Sequence, residues 1–312
     1  MAQRRSSRRL AGVLSGLLAG TAALSPVHQR RVTTGANYCT GEPDCDIGDH
    51  HAALLPRLVL GLEGKTAVVT GASKGIGEAV ARQFAAEGVH LLHLVARTAS
   101  NLELLQAELA TSYPAVRVVT HAVDLGQRGS AAALWLALDA GPRVDVLVNN
   151  AGAIPAGDIL TVDEETWRSS WDLKVFGYIN LAREAYRRFM AADEGGVILN
   201  IIGSGGVRPT FGYIAGATAN AGLIAFTEAL GAESLKHGIR VLGVNPGPTL
   251  TSRLTTLIEQ GGVDNAEEIT EGPFRATLPQ EVADTVVFLC SDKASQVSGT
   301  VLTVDNGRTK RG

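Results

Sequence analysis

Seven short apolar segments alternate with helix-like segments along most of this 312-residue chain. The first apolar segment is KTAVVT (65–70), and the last is TVLTVDNG (300–307). Most of these segments are apolar throughout rather than at alternate positions, which is typical of parallel strands buried on both faces. The alternation therefore predicts right-handed βαβ units in one doubly wound parallel α/β sheet of about seven strands, the Rossmann type of fold.

The composition fits a folded domain. Hydrophobic residues make up 45% of the chain and charged residues 19%, which excludes general disorder. A net charge of -3 provides no bulk attraction to nucleic acid, so we expect none as a partner. Three cysteines are too few for a disulfide framework. Cys290 stands in the apolar run VVFLC and is interpreted as a core residue.

The first 57 residues differ from the rest. Four arginines precede a stretch rich in Ala, Gly and Leu, and no acidic residue occurs before Glu42. This pattern is typical of a secretory, twin-arginine or transit peptide, and it also fits a basic leader with no role in the fold. We therefore predict a disordered or targeting leader over 1–57 and a single domain over 58–312. A loop-like, acidic setting argues against a metal site at four potential ligands, Cys39, Cys45, His50 and His51.

The loop TGASKGIG (70–77) lies between the first predicted strand and its helix. Its glycines at positions 71, 75 and 77 allow a sharp turn and a close approach of the backbone to a pyrophosphate. The helix that follows offers unpaired N–H groups to phosphates. The loop alone would also fit an ordinary tight turn between a strand and a helix.

Further motifs follow later strands: Asp124-Leu125, NNAG (149–152), PGPT (246–249) and the final SGTVLTVDNG. With the glycine loop, they make residues 62–307 resemble the short-chain dehydrogenase/reductase family. The resemblance implies a nicotinamide cofactor across the carboxyl ends of the strands, hydride exchange between an alcohol and a carbonyl, and a homodimer or homotetramer. One departure is Asn306 before Gly307, where the family usually has two glycines.

The resemblance also assigns cofactor contacts. It implies that Asp124 holds the adenine, that NNAG lines the groove, and that PGPT passes over the nicotinamide with Thr249 near its amide. The alternatives are a helix N-cap for Asp124 and a tight strand end for NNAG. The predicted cofactor-binding residues are Gly71, Ser73, Lys74, Gly75, Ile76, Gly77, Arg97, Asp124, Leu125, Asn150, Ala151, Gly152, Pro246, Gly247 and Thr249.

Two cations favour NADP over NAD. NAD sites commonly end the second strand with an acid that binds ribose hydroxyls, and here that strand ends in Ala96-Arg97. Lys74 lies inside the glycine loop. Arg97 and Lys74 together suit a 2′-phosphate, although both side chains could also be merely solvated.

The segment YIAGATAN (213–220) lacks the tyrosine–lysine pair with which the family performs acid–base catalysis. Alignment on Tyr213 puts Ala217 in the lysine position. Alignment on the following AGLIAFTEAL puts Asn220 in the lysine position and Gly216 in the tyrosine position. The serine position is filled by Ser204 in NIIGSGG, which could also be an ordinary polar turn residue.

Lys174, in the segment KVFG, stands where the family has a catalytic asparagine. By this resemblance the lysine and the asparagine are exchanged between Lys174 and Asn220, which would keep one cation and one amide in the same small volume. Tyr213 lies about one turn before the tyrosine position, and its spacing of seven from Asn220 puts both on one helix face. Its ring would have to lean into the site. Alternatively, Lys174 is a solvated helix lysine and Tyr213 is an amphipathic residue at a helix start.

Two functions remain open at this stage. The first is an NADP-dependent oxidoreductase that uses Ser204, Tyr213, Lys174 and Asn220 as rearranged catalytic residues. The second is a nicotinamide-binding protein with little or no turnover. In either case a small alcohol or carbonyl is the expected ligand, covered by residues 250–277, and its identity is not readable. NADP supply favours the cytoplasm, although residues 1–25 leave export or organelle targeting open.

Overall fold

The computed structural model describes residues 60–259 and 275–310. The strands are β1 (Thr66–Thr70), β2 (Leu91–Ala96), β3 (Arg117–Ala122), β4 (Val146–Asn149), β5 (Gly196–Ile201), β6 (Ile239–Pro246) and β7 (Val301–Val304). The α-helices are α1 (Gly75–Ala86), α2 (Ala99–Ser112), α3 (Ser130–Leu138), α4 (Glu164–Trp171), α5 (Gly177–Ala192), α6 (Ile214–Ser234), α7 (Ser252–Glu259) and α8 (Pro279–Cys290). The predicted leader, with Cys39, Cys45, His50 and His51, lies outside the described residues, as does part of the predicted substrate-covering segment.

All seven strands form one parallel sheet in the order β3-β2-β1-β4-β5-β6-β7. The predicted doubly wound fold is confirmed. The chain order reverses between β1 and β4, and a doubly wound sheet opens a crevice at the carboxyl ends of its strands at such a point. The motifs singled out from the sequence therefore meet at one edge of the sheet.

Alternate residues of each central strand enter two separate cores. On β1, Ala67 and Val69 pack in the core formed with α1, α2 and α8, whereas Val68 packs in the core formed with α3 and α5. All residues of β1, β2, β4 and β6 are buried, which explains why these segments are predominantly apolar. The edge strands β3 and β7 are partly exposed.

The sequence of residues 166–191 is helix-like throughout, but the α-helix is interrupted in its middle. A π-helical turn, Asp172–Phe176, separates α4 from α5. Long-range contacts accompany the turn: Trp171 Nε1 donates to the carbonyl of Ala215, and Lys174 Nζ donates to the carbonyl of Ile202. Such contacts leave no trace in a local 3.6-residue pattern. The short helix α7 was also missed, because residues 250–277 were assigned only as a covering segment.

A further prediction concerns the burial of Cys290. Cys290 is buried in the first core, and burial raises the pKa of its thiol to about 12, as befits an inert core residue. Among helices within residues 60–259 and 275–310, none combines the length and apolarity that a membrane span requires.

A buried histidine pair makes stability depend on pH. His93 on β2 is 5% exposed, and its Nδ1 lies 2.9 Å from Nε2 of His121 on β3. Burial, followed by the charges of His121 and Arg117, lowers the pKa of His93 to about 4. Since an unfolded histidine titrates near pH 6.5 and binds the proton more readily, this contribution to stability is complete above about pH 6.5 and is lost as the pH falls towards 4.

We therefore expect the free energy of unfolding to fall by about 2 kcal/mol between pH 6.5 and pH 4 through His93, after a discount for solvent screening. Denaturant unfolding of the wild type and of His93→Leu at both pH values measures this loss of stability. The part of the loss that comes from His93 should be absent in the variant. The exposed His90→Gln is the matched control and should keep the wild-type dependence. An unchanged pH dependence in His93→Leu would contradict the assignment.

Candidate active site

The glycine loop forms a tight cradle at the start of α1. Gly71 and Gly75 have φ angles of +65° and +61°, which favour glycine. A β-carbon at position 77 would lie 2.3 Å from the carbonyl oxygen of Gly71, so only glycine fits there. The N-cap residue Lys74 makes no side-chain capping bond within the described structure. The first N–H groups of α1 are therefore available to a phosphate, as a dinucleotide site requires.

Asn150 fastens the end of β4 to the end of β1. Its side-chain Nδ2 donates to the carbonyls of Thr70 (3.0 Å) and Gly71 (3.2 Å). The backbone N–H groups of Asn150 and Ala151 both donate to Oγ1 of Thr70, at 2.9 and 3.1 Å. These bonds form the floor of the crevice where the strand order reverses, and Gly152 continues from it as an exposed residue.

The PGPT loop lies against the glycine loop. Pro246 ends β6, Gly247 donates to the carbonyl of Val304, and the hydroxyl of buried Thr249 donates to the carbonyl of Gly247 at 3.0 Å. A β-carbon at Gly75 would lie 3.1 Å from Cγ2 of Thr251, two residues further on. The predicted cofactor motifs after β1, β4 and β6 therefore surround one crevice.

Three predicted cofactor residues have a structural role. The carboxylate of Asp124 accepts from the N–H of Gly126 at 3.0 Å and closes an Asx turn, rather than capping a helix. Ile76 and Leu125 pack against the two cores, so their side chains serve the fold. Ser73 is half-buried in the glycine loop.

Lys74 and Arg97 are both exposed at the rim of the crevice. Lys74 directly precedes α1, and Arg97 directly follows β2, which pairs with β1. No salt bridge joins either cation to a carboxylate among the described residues. Both side chains are thus free to meet an anion at this rim.

Ser204 begins a short 3-10 turn, Ser204–Gly206, directly beyond β5. The turn packs tightly against α6: a β-carbon at Gly206 would lie 2.7 Å from the backbone carbon of Asn220. Another at Gly203 would lie 2.9 Å from Nδ2 of Asn220. Glycines therefore let Ser204 and Asn220 come together.

The ring of Tyr213 lies over Gly216. Tyr213 is the N-cap residue of α6, and a β-carbon at Gly216 would lie 2.0 Å from its Cζ and 2.5 Å from its hydroxyl oxygen. A β-carbon at Gly205 would be 3.4 Å from the Tyr213 ring and 3.6 Å from Nδ2 of Asn220, so both side chains border the Ser204 turn. The phenol therefore occupies the space into which a side chain at position 216 would extend.

Lys174 approaches the same turn from the π-helical turn. Its stem passes Gly152, where a β-carbon would lie 2.9 Å from Cδ, and its Nζ donates to the carbonyl of Ile202 at 2.6 Å. Burial, followed by the charge of Arg253, lowers the pKa of Lys174 to about 8. The structure thus brings all four predicted catalytic side chains together around residues 202–206.

Asn220 contributes an unpaired acceptor. The residue is 2% exposed, and its Oδ1 has no hydrogen-bond partner among the described residues. A buried unsatisfied polar group costs roughly 1–3 kcal/mol, so this oxygen suits a donor from a bound molecule, such as a hydroxyl. This unpaired acceptor and the phosphate cradle together fit a bound dinucleotide.

Arg253 on α7 is a site residue that no sequence motif indicated. Its guanidinium donates to the carbonyl of Ile154, which follows the NNAG motif. Burial raises the pKa of Tyr213, and the charge of Arg253 opposes that rise. The phenol is therefore protonated at neutral pH, and Arg253 is the cation that acts on it in the structure. The arrangement can hold an oxygen, donate a proton to it and stabilise the resulting charges.

Comparison with known proteins places the chain among oxidoreductases. A family model described as Enoyl-(Acyl carrier protein) reductase matches residues 71–309. Oxidoreductase UcpA of Salmonella typhimurium is 32% identical over 255 residues, which cover 80% of this chain and 95% of the relative. Galactitol 2-dehydrogenase (L-tagatose-forming) of Cereibacter sphaeroides is 34% identical over 256 residues, which cover 81% and 98%.

Solved structures agree. L-sorbose reductase from Gluconobacter frateurii, complexed with NADPH and L-sorbose, superposes with a TM-score of 0.74 at 32% identity, covering 82% of this chain and all of the reductase. 3-Ketoacyl-(acyl-carrier-protein) reductase from Brucella melitensis, complexed with NADH, superposes with a TM-score of 0.71 at 30% identity, covering 80% and 100%. The two neighbours thus hold different nicotinamide cofactors.

The contact between Tyr213 and Gly216 generates a prediction. Gly216→Ala should displace the ring and destabilise the fold by about 1–3 kcal/mol, the usual cost of overpacking. The displaced phenol gains water, so its raised pKa should fall towards the ordinary value near 10. Denaturant unfolding measures the first effect. Ultraviolet titration of phenolate, as the difference from the matching Tyr213→Phe variant, measures the second.

Gly222→Ala, on the same helix, is the matched control, because a β-carbon there would meet no neighbouring atom within 4 Å. It should stabilise the protein by about 0.5–1 kcal/mol through helix propensity. In a double-mutant cycle, Tyr213→Ala should remove most of the cost of Gly216→Ala. Equal effects of the two glycine substitutions would show that the ring does not need the space at position 216.

Proposed function

The chain belongs to the short-chain dehydrogenase/reductase family, and from that premise we propose that it exchanges a hydride between NADP(H) and an alcohol or carbonyl substrate. The observation that carries this proposal is the Tyr213 phenol lying over Gly216, beside the Ser204 turn. A bound nicotinamide supplies or accepts the hydride. The proton and the charge of the reacting oxygen are handled by side chains of this chain.

Tyr213 is the proposed general acid and base. Its burial keeps the phenol protonated at neutral pH, which is the form that donates a proton to a carbonyl oxygen during reduction. For alcohol oxidation the phenol must first ionise, and nearby cations favour that state. Ser204 holds the reacting oxygen in this scheme. Lys174 and Asn220 supply the cation and the amide that the family places in the opposite arrangement.

A second candidate is a nicotinamide-binding protein with little or no turnover. Gly216 in the tyrosine position favours it, as does the engagement of Lys174 Nζ by the carbonyl of Ile202. A screen of alcohols and carbonyls with NADP(H) separates the two. Turnover abolished by Tyr213→Phe supports the enzyme. Normal cofactor binding without turnover of any compound supports the binding protein.

The proposed preference for NADP(H) rests on Lys74 and Arg97 at the rim of the crevice, beside the end of a β2 strand that lacks an acid. A guanidinium and a phosphate have opposite charges and pair through two parallel hydrogen bonds. Ribose hydroxyls carry no charge and cannot form such a pair. We also place the protein in the cytoplasm, because NADP supply favours that compartment. We propose a homodimer or homotetramer by resemblance to the family.

The first prediction concerns cofactor choice. Arg97→Asp should weaken NADPH binding about tenfold or more, because a charge-assisted hydrogen bond is worth roughly 1.5–3 kcal/mol. NADH binding should stay within about twofold or tighten, since Asp can bind ribose hydroxyls. Fluorescence titration of both cofactors measures this. Arg117→Asp, an exposed change at the opposite end of the neighbouring strand, is the control. Equal or tighter NADH binding by the wild type would refute the preference.

The second prediction concerns the catalytic cation. Lys174→Met should disfavour the Tyr213 phenolate below about pH 8, where the lysine is protonated and can act as a nearby cation. A tenfold weaker acid corresponds to about 1.4 kcal/mol between the two protonation states of the phenol. Alcohol oxidation should then fall most near neutral pH and partly recover in alkali, and Tyr213→Phe should remove that recovery. Rate profiles across pH test these effects.

Exchange of the two residues provides the control. Lys174→Asn combined with Asn220→Lys restores the family arrangement, so it should keep more activity than Lys174→Asn alone. If Lys174→Met leaves the rate profile unchanged, Lys174 has no part in the chemistry.

A further inference from the structure

Two cations flank the crevice without a carboxylate partner. Arg253 donates to the carbonyl of Ile154, beyond β4, and Lys174 donates to the carbonyl of Ile202, beyond β5. Within residues 60–259 and 275–310, no salt bridge joins either side chain to an acid. Burial lowers the pKa of both groups, so their charges are partly desolvated. The charge of Arg253 also contributes to the lowered pKa of Lys174.

Four other partly buried arginines are compensated. Those at 82, 143, 188 and 275 each pair with at least one carboxylate. Arg240 is buried without a salt bridge to a carboxylate, but its guanidinium donates to three backbone carbonyls at the end of α8. Arg253 has only the single carbonyl of Ile154 among the described residues. Its remaining N–H groups suit an anion from outside this part of the chain.

Arg253 lies near the phenol of Tyr213, and the charge of each affects the pKa of the other. It stands on α7, after the PGPT loop, in the segment assigned to cover the substrate. Its acceptor Ile154 packs in the same apolar cluster as Tyr213 and Ala215. The guanidinium and the phenol therefore border one volume, which places an anion bound by Arg253 close to the oxygen that Tyr213 would protonate.

We propose that Arg253 binds a carboxylate of the substrate, so that the substrate is an oxo acid or the corresponding hydroxy acid. The guanidinium fork matches a carboxylate through parallel hydrogen bonds, and a neutral sugar or alcohol would leave its charge uncompensated. This inference rests on the proposed reaction and narrows its substrate class. A phosphate of the cofactor has the same charge chemistry, and the test distinguishes the two sources.

The test uses the full chain with paired probes. Calorimetry compares binding of pentanoate and pentanamide to the NADP complex, and kinetics compare 2-oxopentanoate with its methyl ester. Fluorescence titration gives the Kd of NADPH. The variants are Arg253→Met, the conservative Arg253→Lys, and the control Arg168→Met, which changes an exposed arginine on α4 that pairs only with Glu164.

We expect the wild type to prefer each carboxylate over its neutral partner by about tenfold or more, as for a desolvated charge pair. Arg253→Met should erase that preference by raising KM for the acid relative to KM for the ester, with the Kd of NADPH within about twofold of wild type. Arg253→Lys should retain part of the preference. Arg168→Met should match the wild type.

Equal binding of acid and neutral probes by the wild type would overturn the proposal. So would an Arg253→Met variant that loses NADPH affinity and keeps the preference, because the anion would then be a cofactor phosphate. An equal loss for acid and ester would assign Arg253 a merely structural role. Carboxylate binding that depends on Arg253 without any turnover would support this site and overturn the oxidoreductase. Turnover of neutral carbonyls alone would support the oxidoreductase and overturn the carboxylate site.

Discussion

The hydrogen bonds of Asn150 tie the end of β4 to the end of β1, and the rest of the crevice depends on them. β1 and β4 are hydrogen-bonded neighbours, and the crevice opens beyond the point where their ladder ends, because the strand order reverses between them. Nδ2 of Asn150 joins them by donating to the carbonyls of Thr70 and Gly71. The same amide leaves no room for a side chain at Gly77, because a β-carbon there would lie 2.4 Å from Nδ2. The phosphate cradle and the floor of the crevice are thus one hydrogen-bonded unit.

On the catalytic side of the crevice, glycines make room for the functional side chains. Gly216 provides the volume that the Tyr213 ring fills, and Gly206 allows the Ser204 turn to touch α6. The phenol is consequently presented from the N-cap of α6, near the positive end of the helix dipole, which favours a phenolate. Burial acts in the opposite direction and prevails in raising the pKa of Tyr213. The net result of these two effects is that the phenol is protonated in the free protein.

Sequence predicts the fold better than the site, for physical reasons. Strands buried on both faces must be apolar throughout, so β1, β4 and β6 could be located from composition alone. The glycine loop was recognisable because close backbone contacts admit only glycine. The π-helical turn that carries Lys174 depends on contacts with Ile202 and with α6, which a local pattern does not contain. Arg253 belongs to no motif, since its role depends on what its guanidinium meets across the crevice.

A displaced phenol need not mean a lost reaction. What proton transfer requires is a position relative to the reacting oxygen, and that position is set by the backbone of α6 and of the Ser204 turn, whichever residue delivers the hydroxyl. The Tyr213 hydroxyl lies within 2.5 Å of the point where a β-carbon of residue 216 would be. A tyrosine at position 216 would instead project its hydroxyl about 6 Å beyond that carbon, given ordinary side-chain dimensions. The hydroxyl of Tyr213 is therefore held closer to α6 than that of a tyrosine at position 216 would be.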